Sequence, residues 1–113
     1  MARSPEETMA AIRELNDQLR CKAVGGRIMI TAGIEALGAE KRARVLSAVA
    51  AFDSFNEDND PYGEHDCATL RVDDSHVLFK IDYYDLELRG HSQDASDPGV
   101  TQRVLTVMLA EEY

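Results

Sequence analysis

The chain has 113 residues, of which 44% are hydrophobic and 29% are charged, as expected of one globular domain of about 100–200 residues. This balance excludes a disordered chain, a collagen and a disulfide-stapled mini-protein. No apolar run approaches the ~18–20 residues that cross a bilayer, and no apolar signal-peptide core is present near the start. The net charge of −9 argues against direct nucleic-acid binding, which requires cations to neutralise phosphates.

The negative charge is concentrated in the second half of the chain. Residues 1–52 contain 8 Lys/Arg and 6 Asp/Glu, a net +2, whereas residues 53–113 contain 4 Lys/Arg and 15 Asp/Glu, a net −11. An acidic surface suits solubility, cation binding or a basic protein partner. The two cysteines, Cys21 and Cys67, form no paired motif, and free thiols without an export signal predict a cytoplasmic protein.

The first elements are predicted from a helix-start signature. Ser4 and Glu7 have the spacing of a capping box, and Pro5 fits the first helical position. A helix is therefore predicted over 5–20, and a short strand over 27–31.

A second helix is predicted over 39–52, and its charges are unusual. Lys41, Arg42 and Arg44 lie in its first half, where the helix dipole disfavours cations. Two explanations stay open, plain solvation of the cluster or an acidic neighbour.

The second half of the chain alternates between polar loops and regular elements. A turn-rich loop over 56–66 is followed by strands over 67–72 and 76–84, which predict an antiparallel hairpin. Asp97 and Pro98 resemble a helix cap and first position, and the apolar residues after them would cover most of a helix. A buried central helix is therefore predicted over 98–112.

These elements predict one α+β domain spanning residues 1–113. Their order is α-β-α-β-β-α, with a small, mostly antiparallel three-stranded sheet packed against helices.

The loop with the sequence NEDNDPYGEHD (56–66) contains the densest group of carboxylates. Read as a calcium loop from Asp58, it places Gly63 sixth but Tyr62 fifth and Thr69 twelfth, so the EF-hand pattern fails. A non-standard Ca²⁺ or Mg²⁺ site and a loop of turn-forming residues that bond their own backbone both remain open. The second explanation is favoured, and no metal ligand or cofactor is predicted.

His65 is the one candidate catalytic base, because it is flanked by Glu64 and Asp66 and a carboxylate can orient an imidazole. A small metal-assisted hydrolase that uses His65 and the 57–66 carboxylates is therefore the alternative hypothesis. The sequence contains no established metalloprotease, P-loop, nucleophile-elbow or dinucleotide-binding motif.

A second polar group lies on strand 76–84, where Lys80, Asp82 and Tyr84 share one face by the two-residue period. With Asp85 and Glu87 beyond the strand, they form a patch that suits protein binding. The simpler explanation is a Lys–Asp pair that covers the sheet.

Three phrases, DNDPYGEHD (58–66), KIDYYD (80–85) and DPGVTQRVLTVMLAEEY (97–113), together with Thr31-Ala32-Gly33, resemble a bacterial family of small domains of unknown function. The resemblance covers about residues 25–113. Members of that family more often follow Gly-Glu-His-Asp with an aromatic residue and a glycine, where this chain has Cys67 and Ala68. The resemblance implies an accessory role on plasmids, phages or integrative elements.

The leading hypothesis is a non-enzymatic, acidic inhibitor that acts as a DNA mimic. It would occupy a basic nucleic-acid-binding surface of a CRISPR effector or another defence nuclease, as an anti-CRISPR or other anti-defence protein. The partner-binding residues are predicted to be the carboxylates of the 57–66 loop with the polar residues of 82–87: Glu57, Asp58, Asp60, Glu64, Asp66, Asp82, Tyr84, Asp85 and Glu87.

Overall fold

The computed structural model describes residues 3–113, in which helices pack on one face of a sheet. In chain order the helices are α1 (Pro5–Lys22), α2 (Ala32–Glu35) and α3 (Ala39–Ala51). The strands are β1 (Arg27–Ile30), β2 (Cys67–Val72), β3 (Ser75–Tyr84) and β4 (Gln102–Leu109), and a short 3₁₀ turn, Ala110–Glu112, follows β4.

Helix α1 begins as its sequence predicts. The Ser4 hydroxyl accepts a hydrogen bond from the Glu7 backbone N–H at 3.2 Å, and the Glu7 carboxylate accepts one from the Ser4 N–H at 3.2 Å. This reciprocal pair satisfies two of the free N–H groups at a helix start. The helix ends at Lys22, where Ala23 adopts a left-handed conformation.

The predicted last helix, 98–112, is wrong, because most of this segment is strand β4. Asp97 does not cap a helix but closes a turn, and its carboxylate accepts the N–H of Gly99 at 2.8 Å. Apolar residues stand on both faces of this strand, buried at Leu105 and Val107 and half-buried at Val104, and such a continuous apolar run resembles the pattern of a buried helix. The β-branched residues Val104, Thr106 and Val107 favour the strand.

The sheet therefore has four strands of mixed orientation, where three, mostly antiparallel strands were predicted. Its order is β1-β4-β3-β2, with β1 parallel to β4 and the other pairs antiparallel. The predicted hairpin of β2 and β3 is confirmed, and it closes at the pair Val72–Ser75.

One hydrophobic core joins the helices to one face of the sheet. Val77, Phe79 and Leu105 are each at most 1% exposed on the sheet side. They meet α1 and α3 side chains that are equally buried, such as Leu19 and Val45. The β3 side chains on the opposite face of the sheet are mostly half-buried, because no helix covers that face.

The basic cluster of α3 has an acidic neighbour, which is the turn between β2 and β3. Lys41 Nζ lies 2.6 Å from the Asp74 carboxylate, and an Arg44 Nη lies 2.9 Å from that of Asp73. Arg42 pairs with Glu35 of α2 at 3.0 Å. The cations near the start of α3 are therefore matched by carboxylates from outside the helix.

The turn after β4 is fastened to α2 through Glu112. Its carboxylate accepts hydrogen bonds from the Thr31 hydroxyl at 2.7 Å and from the Gly33 N–H at 3.1 Å. A Cβ on Gly33 would stand 2.4 Å from this carboxylate. The Thr31-Ala32-Gly33 phrase is thus explained by the close approach of Glu112.

Candidate functional site

The acidic loop, residues 56–66, is built by turn residues that bond their own backbone, as the favoured prediction holds. The Asn56 side-chain oxygen accepts the N–H groups of Asp58 at 2.8 Å and Asn59 at 3.1 Å. The Asn59 amide in turn donates to the Ser54 carbonyl at 2.9 Å. These bonds hold the first half of the loop in one conformation.

Asp60 organises the second half of the loop from inside. Its side chain is only 4% exposed, and it accepts the backbone N–H groups of Glu64 at 3.1 Å and His65 at 3.2 Å. The left-handed conformations of Gly63 and His65, with φ of 69° and 56°, turn the chain around it. Asp60 is thus a residue that holds the loop, and a partner at the surface does not reach its carboxylate.

Helix α1 fixes the loop to the rest of the domain. Arg13 donates to the Gly63 carbonyl at 3.0 Å, and the Asn16 amide donates to the Glu64 carbonyl at 3.0 Å. The same Asn16 amide donates to the Tyr83 hydroxyl at 2.7 Å, and its oxygen accepts from Arg103 Nε at 2.7 Å. Asn16, which has no exposed surface, thus connects the loop to β3 and β4.

Arg103 completes this buried polar network. It is 2% exposed, it also donates to the Ala95 carbonyl, and its guanidinium carbon lies 5.0 Å from the centre of the Tyr83 ring. Burial lowers the pKa of Arg103 and raises the pKa of Tyr83. These contacts and the charge of nearby Glu64 offset part of the cost of burying the cation.

The sequence analysis did not identify Asn16 or Arg103 as residues that hold the site, although the position of each in the sequence indicates burial. Asn16 stands four residues after Ile12 and three before Leu19, so it lies on the apolar stripe of α1. Arg103 stands two residues before Leu105, which is an inward position once the segment is recognised as a strand. A polar residue at a core position is the informative observation in both cases.

The His65 ring is held on three sides. Nδ1 lies 2.9 Å from the Asp17 carboxylate, Nε2 lies 3.7 Å from that of Asp60, and the ring stacks on Phe55 with centroids 3.9 Å apart. Asp17 fixes the orientation of the imidazole through Nδ1, and Nε2 is beyond hydrogen-bond distance of Asp60. The hypothesis that His65 is a catalytic base stays a prediction.

Four carboxylates of the acidic loop remain without a cation among the ion pairs of residues 3–113: Glu57, Asp58, Glu64 and Asp66. Glu57 and Asp58 are exposed, and Glu64 and Asp66 are half-buried. Partial burial, together with the charge of Asp66 and then of Asp60, raises the pKa of Glu64. Burial also raises the pKa of Asp66, and the charges of Asp60 and Asp82 add to the effect. The charge of Arg103 partly offsets these effects at Glu64, and none of the four carboxylates forms an ion pair within residues 3–113.

The predicted residues of 82–87 are instead engaged within the chain. Asp82 pairs with Lys80, and the Asp85 carboxylate accepts the N–H groups of Glu87 at 3.0 Å and of Arg89 at 3.1 Å. Glu87 lies 3.5 Å from an Arg89 nitrogen. Tyr84 is half-buried at the end of β3, opposite Gln102.

Cys67, at the start of β2, is exposed but not activated. Desolvation and the charge of Asp66 raise the pKa of its thiol, whereas a nucleophilic cysteine needs a lowered pKa.

Within residues 3–113, no group of three or more His, Cys, Asp or Glu side chains is arranged to hold a metal ion. The same residues include no helix with both the length and the apolar character that a membrane crossing requires.

A family model for a protein of unknown function, DUF3768, matches residues 30–112. The chain belongs to this family. The match begins at the end of β1 and runs through β4 to Glu112, so it includes the acidic loop and Arg103 but not α1. No curated protein and no solved structure matches the chain. Membership of DUF3768 therefore rests on sequence, and it assigns no activity to the chain.

Proposed function

We propose that this DUF3768 chain is a non-enzymatic binding protein whose acidic loop docks on a basic surface of another protein. The observation that supports the proposal is that some carboxylates of the chain form ion pairs within it and others do not. Those of Glu57, Asp58, Glu64 and Asp66 have no cationic partner among the described ion pairs, while the loop that bears them is held by many backbone bonds.

The rigidity of the loop favours binding, because a preorganised surface loses little conformational entropy when a partner docks. Side chains of α1 and of the loop hold it at both ends. Arg13 and Asn16 bond the carbonyls of Gly63 and Glu64, and Asn56 closes the first turn. The backbone that bears the carboxylates is therefore preorganised, which favours their use as a mimic of backbone phosphates.

The electrostatics of Glu64 and Asp66 also favour a cationic partner. Their pKa values are raised by burial and by neighbouring carboxylates, so ionised Glu64 and Asp66 are less stable than free carboxylates. A nearby Lys or Arg would lower both pKa values and relieve this repulsion. Partner binding should therefore release protons, and its affinity should increase as the pH rises through the range in which these carboxylates ionise.

The narrower form of the proposal is an anti-defence inhibitor in the bacterial cytoplasm, encoded on a mobile element, that occupies the nucleic-acid channel of a CRISPR effector or another defence nuclease. It is supported by the net −11 over residues 53–113, since a channel that binds phosphates is basic. Complementary charge speeds encounter and selects the partner. Asp82, Asp85 and Glu87 are secondary contacts in this proposal, because they already bond within the chain, and half-buried Tyr84 lies beside them.

A matched pair of charge reversals tests the proposal. Glu57 and Asp58 are both changed to Lys in one variant, and Glu14 and Glu111 in the other. All four are exposed, so neither variant should unfold. Binding is measured by pull-down from host lysate with mass spectrometry, and then with the purified partner at increasing salt.

We expect the loop variant to lose the partner and the control to retain it. We also expect association to slow as salt rises, since charges are screened over about 8 Å at physiological ionic strength. Equal binding by the two variants, or binding that does not depend on salt, would contradict the proposal. If a captured nuclease keeps full activity in the complex, the narrower form fails and the docking function stands.

A further inference from the structure

A pocket opens between the acidic loop and α1. It encloses about 390 Å³, near the lower end of the ~300–1,000 Å³ of small-molecule sites, so it has room for one long side chain. Its walls are mainly apolar, with Met9 from α1, Phe55 from before the loop, and Pro61 and Tyr62 from within it. His65, whose ring stacks on Phe55, also lines this cavity, which we call the Tyr62 pocket.

Tyr62 is 69% exposed, although the turn that carries it is fixed. The Gly63 N–H donates to the Asp60 carbonyl at 3.1 Å, which closes a four-residue turn with Tyr62 in its third position. Within residues 3–113, the Tyr62 ring takes part in no aromatic or cation–π contact. The fold thus leaves this ring unused, and tyrosine is one of the residues that dominate binding at interfaces.

The Tyr62 pocket is acidic. The exposed side chain of Glu57 lines it and forms no ion pair within residues 3–113. The enclosed Asp60 adds a second negative charge, and none of the described residues that line the pocket is Lys or Arg. Arg13, the cation of α1 that reaches this loop, donates to the Gly63 carbonyl at 3.0 Å. Apolar walls with uncompensated negative charge are complementary to a cation on an alkyl stem.

We propose that the Tyr62 pocket receives an arginine side chain of the partner, an inference that rests on the proposed docking function for the source of that arginine. The alkyl stem packs on Met9 and Pro61, as long charged side chains do on apolar surfaces. The guanidinium stacks on the free ring of Tyr62 and pairs with the Glu57 carboxylate. Arginine fits better than lysine, because a planar guanidinium both stacks on an aromatic ring and bonds a carboxylate through two N–H groups.

An arginine anchored in this way fixes where the partner docks. Pairs between exposed charges contribute little on their own, so the other carboxylates of the acidic loop speed the encounter more than they select the partner. A side chain inserted into a pocket between apolar walls is the usual form of a binding hot spot. The partner is therefore expected to present an arginine that projects from its basic surface.

A blocked peptide, acetyl-Gly-Arg-Gly-amide, tests the pocket without the partner. Two further peptides replace the arginine by citrulline, which has nearly the same shape but no charge, or by lysine. Amide chemical shifts of the isotope-labelled full chain are followed by NMR, at constant ionic strength, up to about 50 mM peptide, which spans the weak binding expected of one side chain. We expect saturable shifts at Tyr62 and Gly63 with the arginine peptide, and binding of the citrulline peptide that is about threefold weaker or more.

Two variants with matched controls locate the binding. Tyr62→Ala and Glu57→Gln should each weaken the arginine peptide about two- to fivefold, through loss of the stacking and of the ion pair respectively. Tyr113→Ala, at a tyrosine that is 83% exposed, and Glu14→Gln, at an exposed glutamate, should bind as the parent does, because neither residue lines the pocket. The same spectra show whether each variant is folded.

The pocket assignment is overturned if the arginine peptide gives no saturable shift, if the citrulline or lysine peptide binds equally well, or if Tyr62→Ala and Glu57→Gln both bind as the parent. This failure is distinct from failure of the docking function, which the charge-reversal pull-down decides. Loss of the partner in the pull-down without peptide binding leaves the docking function and removes the arginine anchor. Peptide binding as expected, with a pull-down that the charge reversal does not change, supports the pocket and removes the docking function.

Discussion

Two acidic segments of this domain, the 56–66 loop and the turn between β2 and β3, use their carboxylates in different ways. Asp73 and Asp74 of the turn face Arg44 and Lys41 of α3. The acidic loop is held by backbone bonds and by buried side chains, and its surface carboxylates face no cation among the described ion pairs. The density of acidic residues alone therefore does not identify an interface. A carboxylate that has no cationic partner within the chain is the better indicator of an interface.

The pKa shifts of the two segments follow the same division. The hydrogen bond from Lys41 and its charge lower the pKa of Asp74, whereas burial and like charges raise the pKa of Glu64. Ionised Asp74 thus favours the folded state, and ionised Glu64 opposes it. Neutralising Asp74 and neutralising Glu64 should therefore have opposite effects on stability near neutral pH.

The largest effect is expected where the acidic loop is joined to the sheet. Asn16→Ala removes the partner of Arg103, of Tyr83 and of the Glu64 carbonyl, and unpaired buried polar groups are costly. The free energy of unfolding, measured with urea, should fall by about 2–4 kcal/mol. The exposed neighbour Glu14→Ala should change it by less than ~0.5 kcal/mol. A loss below ~1 kcal/mol for Asn16→Ala would mean that the network does not hold the loop.

Asp60 allows a direct comparison within the acidic loop. Asp60→Ala removes the acceptor of two backbone N–H groups and should cost about 1–3 kcal/mol in urea unfolding. Asp60→Asn keeps one acceptor oxygen and should cost less. Asp58→Ala, at the exposed surface, should be nearly neutral. Equal stabilities for Asp60→Ala and Asp58→Ala would show that Asp60 does not organise the turn.

A smaller loss is expected in the β2–β3 turn. Asp74→Asn removes the ion pair with Lys41 and should lower the melting temperature slightly at pH 7. Because the folded-state pKa of Asp74 is lowered, its contribution is present above the unfolded pKa and is lost as the pH falls through the folded value. The parent and the variant should therefore converge in acid and also in high salt. A difference that persists in acid would assign the effect to something other than this charge.

The smallest effect has the opposite sign. Glu64→Gln should raise the melting temperature slightly at pH 7, because it removes a carboxylate whose ionised form the fold disfavours. The folded-state pKa is raised, so the folded state binds the proton more tightly and stability falls as the pH rises from the unfolded to the folded value. The gain from Glu64→Gln should disappear in acid. A Glu64→Gln variant that is less stable than the parent at pH 7 would show that the ionised carboxylate is stabilising.

The parts of the fold that short-range signals specify were predictable from the sequence. Ser4, Pro5 and Glu7 located the start of α1, and the alternation along 76–84 located β3. Strand β4 was missed because its pairing to β1 and β3 joins residues far apart in the chain. Without those partners, an apolar run after Asp97-Pro98 fits a helix equally well, and β1 cannot be recognised as the neighbour of β4.

The candidate site was predicted only in part, for a related reason. Turn chemistry indicated correctly that turn-forming residues bond the backbone of the loop, as Asn56 and Asn59 do. Turn chemistry could not distinguish Asp60 from Asp58, because both lie among the same types of turn-forming residue. Asp60 is enclosed by the loop, whereas Asp58 is exposed. Asn16 and Arg103 meet only in the tertiary structure, so no local pattern predicts their contact.

The position of β4 also constrains how the domain folds. This strand is the last in chain order but lies between β1 and β3, so β1 has no partner in the sheet until residues 102–109 have been synthesised. Only the β2–β3 hairpin can pair before then, and contacts of high sequence separation slow folding. During translation β1 and β3 therefore wait with unpaired edges, and a chain interrupted before Gln102 should be open to aggregation or to proteolysis.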